Sequence, residues 1–169
     1  ATGAYSTTLT VGAANAQQWA ILGLAAVQQT IPVTATNYLI NMQAPDGGWS
    51  YTGAPSFTSA DTTGMVVQAL IAGGNVTRTN PALVKAVQYF VDTQLADGGW
   101  GYGTTSSPNS TAVGMMGMVA AGYTPATEAF KTDSGLTPHD YLVGAQLADG
   151  SFDAGLGDGF YATLEAVVG

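Results

Sequence analysis

Tyr38-Leu39-Ile40-Asn41-Met42-Gln43-Ala44-Pro45-Asp46-Gly47-Gly48-Trp49 decides the fold, because the chain writes it three times. The second writing is Tyr89-Phe90-Val91-Asp92-Thr93-Gln94-Leu95-Ala96-Asp97-Gly98-Gly99-Trp100. The third is Tyr141-Leu142-Val143-Gly144-Ala145-Gln146-Leu147-Ala148-Asp149-Gly150-Ser151-Phe152. Its glutamines, at 43, 94 and 146, set a period of 51 and then 52 residues. Self-similarity at that period signals a repeat architecture, in which each unit buries its apolar face by stacking on the next.

Between these stretches the sequence punctuates helices. Asn15 precedes Ala16–Gln29, where apolar residues recur at helical spacing, and Pro32 closes it. Thr34 is expected to cap a second helix running to about Gln43. Pro45-Asp46-Gly47-Gly48 is a turn, since proline presets φ and glycine accepts positive φ. Asp61 is expected to cap Thr62–Ala72, with Gly73-Gly74 as its stop, and Asn80-Pro81 to start a helix to about Leu95. Ser110 should open a small-residue helix over Thr111–Ala121, closed by Gly122. Thr137-Pro138 starts the next helix, ending near Leu147, and Asp158 caps the last, Gly159–Val168. Caps at 15, 61, 110 and 158 give a second register of the repeat, with spacings of 46, 49 and 48. Each unit is then two antiparallel helices joined by a glycine turn. One helix ends in Gln, and the other, rich in Gly, Ala and Met, forms the crowded inner layer. Residues 1–14 read as an extended or disordered lead-in, and residues 15–169 as one repeat domain.

Composition narrows function. Apolar residues make up 46% but charged ones only 8%, about a third of the usual share. A net charge of -8 with three basic residues, Arg78, Lys85 and Lys131, argues against nucleic acid and against anionic membrane surfaces. No apolar run approaches the roughly 18 residues of a membrane span. Without cysteine there is no disulfide, thiolate nucleophile or Cys-ligated metal. Few charges, many Thr and Gly, a low pI, and an Ala1-Thr2-Gly3-Ala4 start that suits removal of a leader lean towards a secreted or surface-displayed protein.

The pattern of aromatic, aliphatic, Gln, glycine turn and Trp resembles the QW repeat of the terpene cyclase and prenyltransferase (squalene-hopene cyclase-like) α/α-toroid superfamily. Lys85-Ala86 ahead of Tyr89 makes the second copy the fullest match. The first copy has Thr34-Ala35 there, and the third ends in Phe152 instead of Trp. The resemblance implies an all-α partial α/α toroid of about seven helices. Closed toroids of the superfamily hold six hairpins, whereas this chain has length for about three and a half, an open arc. Gln43, Trp49, Gln94, Trp100, Gln146 and Phe152 are then a structural staple: the Gln serves a carbonyl left open by the last helical turn, with its amide plane stacked on the indole.

The superfamily's chemistries are not written here. There is no Asp-x-Asp-Asp acid, no Cys and His pair for zinc, and no thioester Cys. His139, following Pro138 at a helix start, reads as a surface residue without a Ser or Cys partner. Asp61 and Asp158 are the catalytic candidates, a carboxylate pair for sugar chemistry, with N-capping as the competing account. Asp46, Asp97 and Asp149 each precede Gly and read as turn formers. Asp149, Asp153 and Asp158 have spacing for calcium but match no EF-hand loop. Tyr51, Tyr102 and Phe57 beside the glycine loops form a candidate ligand face, with loop packing as the alternative. Asn75-Val-Thr77 and Asn109-Ser-Thr111 are glycosylation sequons.

The expected function is a non-catalytic structural or assembly module of a secreted or cell-surface protein, without a cofactor. Its partners would be other copies of itself or neighbouring domains. A module binding a glycan or an apolar small molecule is the alternative, and a truncated cyclase or polysaccharide-active enzyme the third reading.

Overall fold

The computed structural model describes residues 14–53 and 57–152. Six α-helices appear in this range: α1 (Ala14–Ala26), α2 (Val33–Ile40), α3 (Ala60–Ala72), α4 (Pro81–Thr93), α5 (Pro108–Ala120) and α6 (Pro138–Ala145). The expected last helix, Gly159–Val168, lies outside the described residues, as does most of the expected lead-in; Ala14 is already helical and buried. The odd-numbered helices pack side by side, α1 on α3 and α3 on α5. The even-numbered helices lean on that row, α2 against α1 and α3, α4 against α3, and α6 against α5. This is the partial α/α toroid.

Small residues set the spacing of the row. A β-carbon built on Gly64 of α3 would run into the Val113 carbonyl of α5, and one on Gly117 would stand 2.6 Å from the Gly64 α-carbon. The two backbones therefore touch with nothing between them. The core fills in two linked lobes. Ile21, Leu39, Trp49, Val67, Leu70 and Leu83 form the first. Phe90, Trp100, Met118, Phe130, Leu142 and Phe152 form the second, where Phe90 and Trp100 meet edge to face with ring centres 5.4 Å apart.

Helix ends show where local chemistry and expectation differ. Asn80 caps α4, accepting from the Ala82 N–H with Pro81 in the first turn, and Thr137 caps α6, both as expected. The other starts move. Ser59, not Asp61, caps α3: its hydroxyl accepts from Thr62 N, and Asp61 stands in the first turn. Ser107 rather than Ser110 precedes α5, Pro32 rather than Thr34 precedes α2, and Asn15 lies inside α1. The cause at α3 and α5 is a pair of small ladders absent from the expectation. β1 (Trp49–Ser50) pairs antiparallel with β2 (Thr58–Ser59), and β3 (Gly101–Tyr102) with β4 (Thr105–Ser106). The helix starts as soon as the returning strand releases the chain. At the other ends, Gly73-Gly74 stops α3 and Gly122 stops α5 as expected. α1 stops earlier than expected, on Gln28, a non-glycine residue at φ 57. Gln29 N–H bonds Leu24 O and Gln28 N–H bonds Ala25 O, the paired bonds of a Schellman ending.

Candidate functional site

The three repeated turns are built alike. Ala44 N–H donates to Gly48 O and Gly47 N–H to Ala44 O; Leu95, Gly98 and Gly99 repeat this, as do Leu147, Gly150 and Ser151. Gly47 and Gly98 both sit at φ 91, and a β-carbon there would also strike the backbone carbonyl of Lys85 or Thr137 in the following unit. The first two turns are thus pressed onto the next repeat, whereas a β-carbon on Gly150 of the third would meet nothing within 4 Å.

The aspartates ahead of those glycines are spent inside the turns. Asp46 accepts from Gly48 N–H at 3.0 Å and from the Thr58 hydroxyl at 2.6 Å. Asp97 accepts from Gly99 N–H at 3.1 Å and from the Ser106 hydroxyl at 2.6 Å. Each ties its turn to the returning strand. Asp149 takes both bonds from Ser151, and these hold its carboxyl below the ordinary value, the hydroxyl contributing most. Its expected calcium partners, Asp153 and Asp158, lie outside the described residues. Among the described residues no three His, Cys, Asp or Glu converge as metal ligands.

The staple residues divide their work differently from the expectation. Gln43 Nε2 donates to Gly47 O at 2.8 Å and to Ala82 O, in the first turn of α4, at 2.7 Å. Gln94 Nε2 donates to Gly98 O at 2.9 Å and to Phe130 O, in a short 3-10 helix (Glu128–Phe130), at 3.1 Å. Neither glutamine serves a carbonyl of its own helix's last turn. That task falls to the tryptophans: the indole N–H of Trp49 donates to Leu39 O at 2.7 Å, and that of Trp100 to Phe90 O at 2.9 Å. Both indoles are buried. In the third copy Gln146 keeps the bond to its own turn, Gly150 O at 3.1 Å, and Phe152 is buried but its ring carries no N–H to match the indole's.

Tyr89 of α4 lies against Gly48. Burial foremost, helped by the carboxylates of Asp46 and Asp61, pushes its phenol above the ordinary value, while hydrogen bonds with Thr58 and Thr93 pull it back. His139 is an exposed first-turn residue of α6. Asn75 Nδ2, in the first sequon, donates to Ile31 O at 2.7 Å.

One cavity of about 420 Å³ opens across α1, α3 and α5. Trp19, Leu22, Tyr51, Met65, Val113 and Met116 make it mostly apolar. Asp61 and Gln18 are among its polar residues. The cavity therefore takes in two sequence candidates, Asp61 and Tyr51, and leaves out two others: Tyr102 and Phe57 are exposed elsewhere, and neither lines it. Asp158, the proposed partner of Asp61, lies outside the described residues. Sequence reasoning missed Trp19, 58% exposed, by counting it only among the apolar residues at helical spacing in the first helix, and it missed Gln18 altogether. The available signal was amphipathicity. α4 has one apolar stripe, whereas α1 and α5 are apolar on nearly every side, so each has apolar surface left over after packing.

These repeats are matched by a known family. The squalene-hopene cyclase C-terminal domain matches residues 6–161, a span that holds all three turns and all six helices. With that match over nearly the whole chain, this protein belongs to the squalene-hopene cyclase C-terminal domain family.

Proposed function

We propose that this terpene cyclase-like repeat module works without catalysis, as a structural and assembly unit of a secreted or cell-surface protein. One observation carries the reading: the polar groups that recur in the turns are consumed in fixing those turns and, in the first two, in joining one repeat to the next. Gln43 and Gln94 reach into the following unit, and Asp46 and Asp97 lock the turns that press against it. Recurring residues dedicated to unit-to-unit contact suit a chain whose task is to stack. Stacked repeats expose an apolar face wherever the series stops, and such a face associates unless capped. The natural partners are other copies of the chain or neighbouring domains. Few charged residues, many Thr and Gly and a low pI support an exported setting.

Light scattering across a hundredfold concentration range tests the assembly role. Species heavier than the 17.1 kDa chain that grow with concentration are expected. A mass that stays at the monomer value throughout would refute self-assembly.

A further inference from the structure

The cavity across α1, α3 and α5 holds acceptors that no described residue serves. Gln18 is only 3% exposed, and its amide nitrogen donates to Asn15 Oδ1 at 3.2 Å. Its carbonyl oxygen, Oε1, is buried without a hydrogen-bond partner. A buried acceptor left open costs about 1–3 kcal/mol, and a donor arriving with a ligand recovers it once the Gln18 side chain, which lines the cavity, turns Oε1 towards it. Asp61, on the same cavity, has no hydrogen-bond or ion-pair partner among the described residues. None of the three basic side chains lines the cavity. The walls supply no complementary positive charge, so the unmet demand is for a donor that is also a cation.

The remainder of the wall fits that demand. Trp19 and Tyr51, 58% and 62% exposed, offer aromatic faces, and Met65 and Met116 add polarizable apolar surface. Aromatic faces attract ammonium groups, Trp most strongly. A sugar, with many hydroxyls that each donate and accept, would leave most of its groups against apolar wall. A neutral hydrocarbon would leave Asp61 and Gln18 Oε1 unserved. The net charge of -8 also draws cations towards the molecule.

From this we infer that the cavity is a binding site for an organic ammonium ion on a compact apolar body. Asp61 pairs with the ammonium, Gln18 turns its Oε1 out of the wall to accept one of its N–H groups, and Trp19 and Tyr51 enclose the hydrocarbon.

Calorimetry with two probes of one shape, 1-adamantanamine and 1-adamantanol, tests this at pH 7. The protonated amine is expected to bind at least about tenfold more tightly than the alcohol, as one charge-assisted bond provides. Asp61→Asn is expected to erase that preference, and Trp19→Ala, at an exposed position, to weaken the amine without lowering the melting temperature. Equal affinity for the two probes, no binding of either, or a preference that survives Asp61→Asn would overturn the site. Should Asp61→Asn fail to fold, ionic strength decides on the unaltered protein. The preference must shrink as salt screens the pair, and a salt-independent preference would overturn it.

Discussion

Gln43 donates to the Ala82 carbonyl at 2.7 Å, across 39 residues of sequence, and Gln94 makes the corresponding bond to Phe130 at 3.1 Å. In each case one amide nitrogen also holds its own turn, so a single side chain fixes a turn and the unit that follows it. Gln94→Ala leaves two backbone carbonyls without that donor. At about 1 kcal/mol each, the loss is expected to be about 2 kcal/mol, or roughly 4–8 °C in melting temperature. Gln146→Ala removes one exposed bond and should cost clearly less. Thermal melts of the two variants check this, and equal losses would contradict the inter-repeat role.

The contact between Gly64 and Gly117 has no slack. Alanine at Gly64 drives a methyl group into the Val113 carbonyl, and alanine at Gly117 puts one 2.6 Å from the Gly64 α-carbon. Neither obstacle is a movable side-chain tip, so α3 and α5 must separate. Each substitution is expected to cost at least about 2 kcal/mol. Gly23 of α1 and Gly144 of α6 meet nothing within 4 Å. At these helical sites Gly→Ala should stabilise by about 0.5–1 kcal/mol. Denaturant unfolding of the four variants separates crowding from propensity, because the two pairs must move in opposite directions.

Trp100 and Phe152 occupy matching places, and only the indole can donate. Trp100→Phe keeps an aromatic ring in the lobe with Phe90 but removes the bond to the Phe90 carbonyl. A cost of about 2–4 kcal/mol is expected, from the unserved carbonyl together with the void left by the smaller ring. A melting temperature within 1 °C of the parent, on the order of a few tenths of a kcal/mol, would show that the carbonyl finds another donor.

What the sequence revealed follows how far each interaction reaches along the chain. The turns at Asp46, Asp97 and Asp149 were legible because their bonds close within a few residues and the same letters return three times. The start of α3 was not, since Ser59 and Asp61 are both good caps. The choice between them is made by Ser59 pairing with Trp49 in a ladder two residues long, too short for an alternating pattern. The glutamine's distant bond was likewise hidden, because helix-end logic suggests a local carbonyl and Ala82 is a neighbour only after folding. The cavity was half visible. Asp61 and Tyr51 stood out as a polar and an aromatic residue near turns, but Trp19 fitted the apolar period of its helix. Periodicity does not tell which apolar residues face a neighbour and which face an opening.

Asp140 gives the fold an acid-sensitive clasp. Its carboxylate accepts from the Thr137 hydroxyl at 2.7 Å and from Thr137 N–H at 2.9 Å, while Thr137 Oγ1 accepts from Asp140 N–H at 3.2 Å. The hydroxyl first, then the backbone N–H, holds the carboxyl below its ordinary value of 3.8. A group whose folded pKa is depressed stabilises the fold above its unfolded pKa, and that contribution disappears as pH falls through the folded value. The parent and Asp140→Asn should therefore differ most near neutral pH and converge below pH 3.8. Melting temperatures from pH 7 to pH 2 check the sign, and a constant gap over that range would show that the capping box does not depend on charge. Thr137→Ala removes the buried cap itself and is expected to cost about 1 kcal/mol. Because that variant also loses the hydroxyl that depresses Asp140, its melting curve should flatten with acid in the same range.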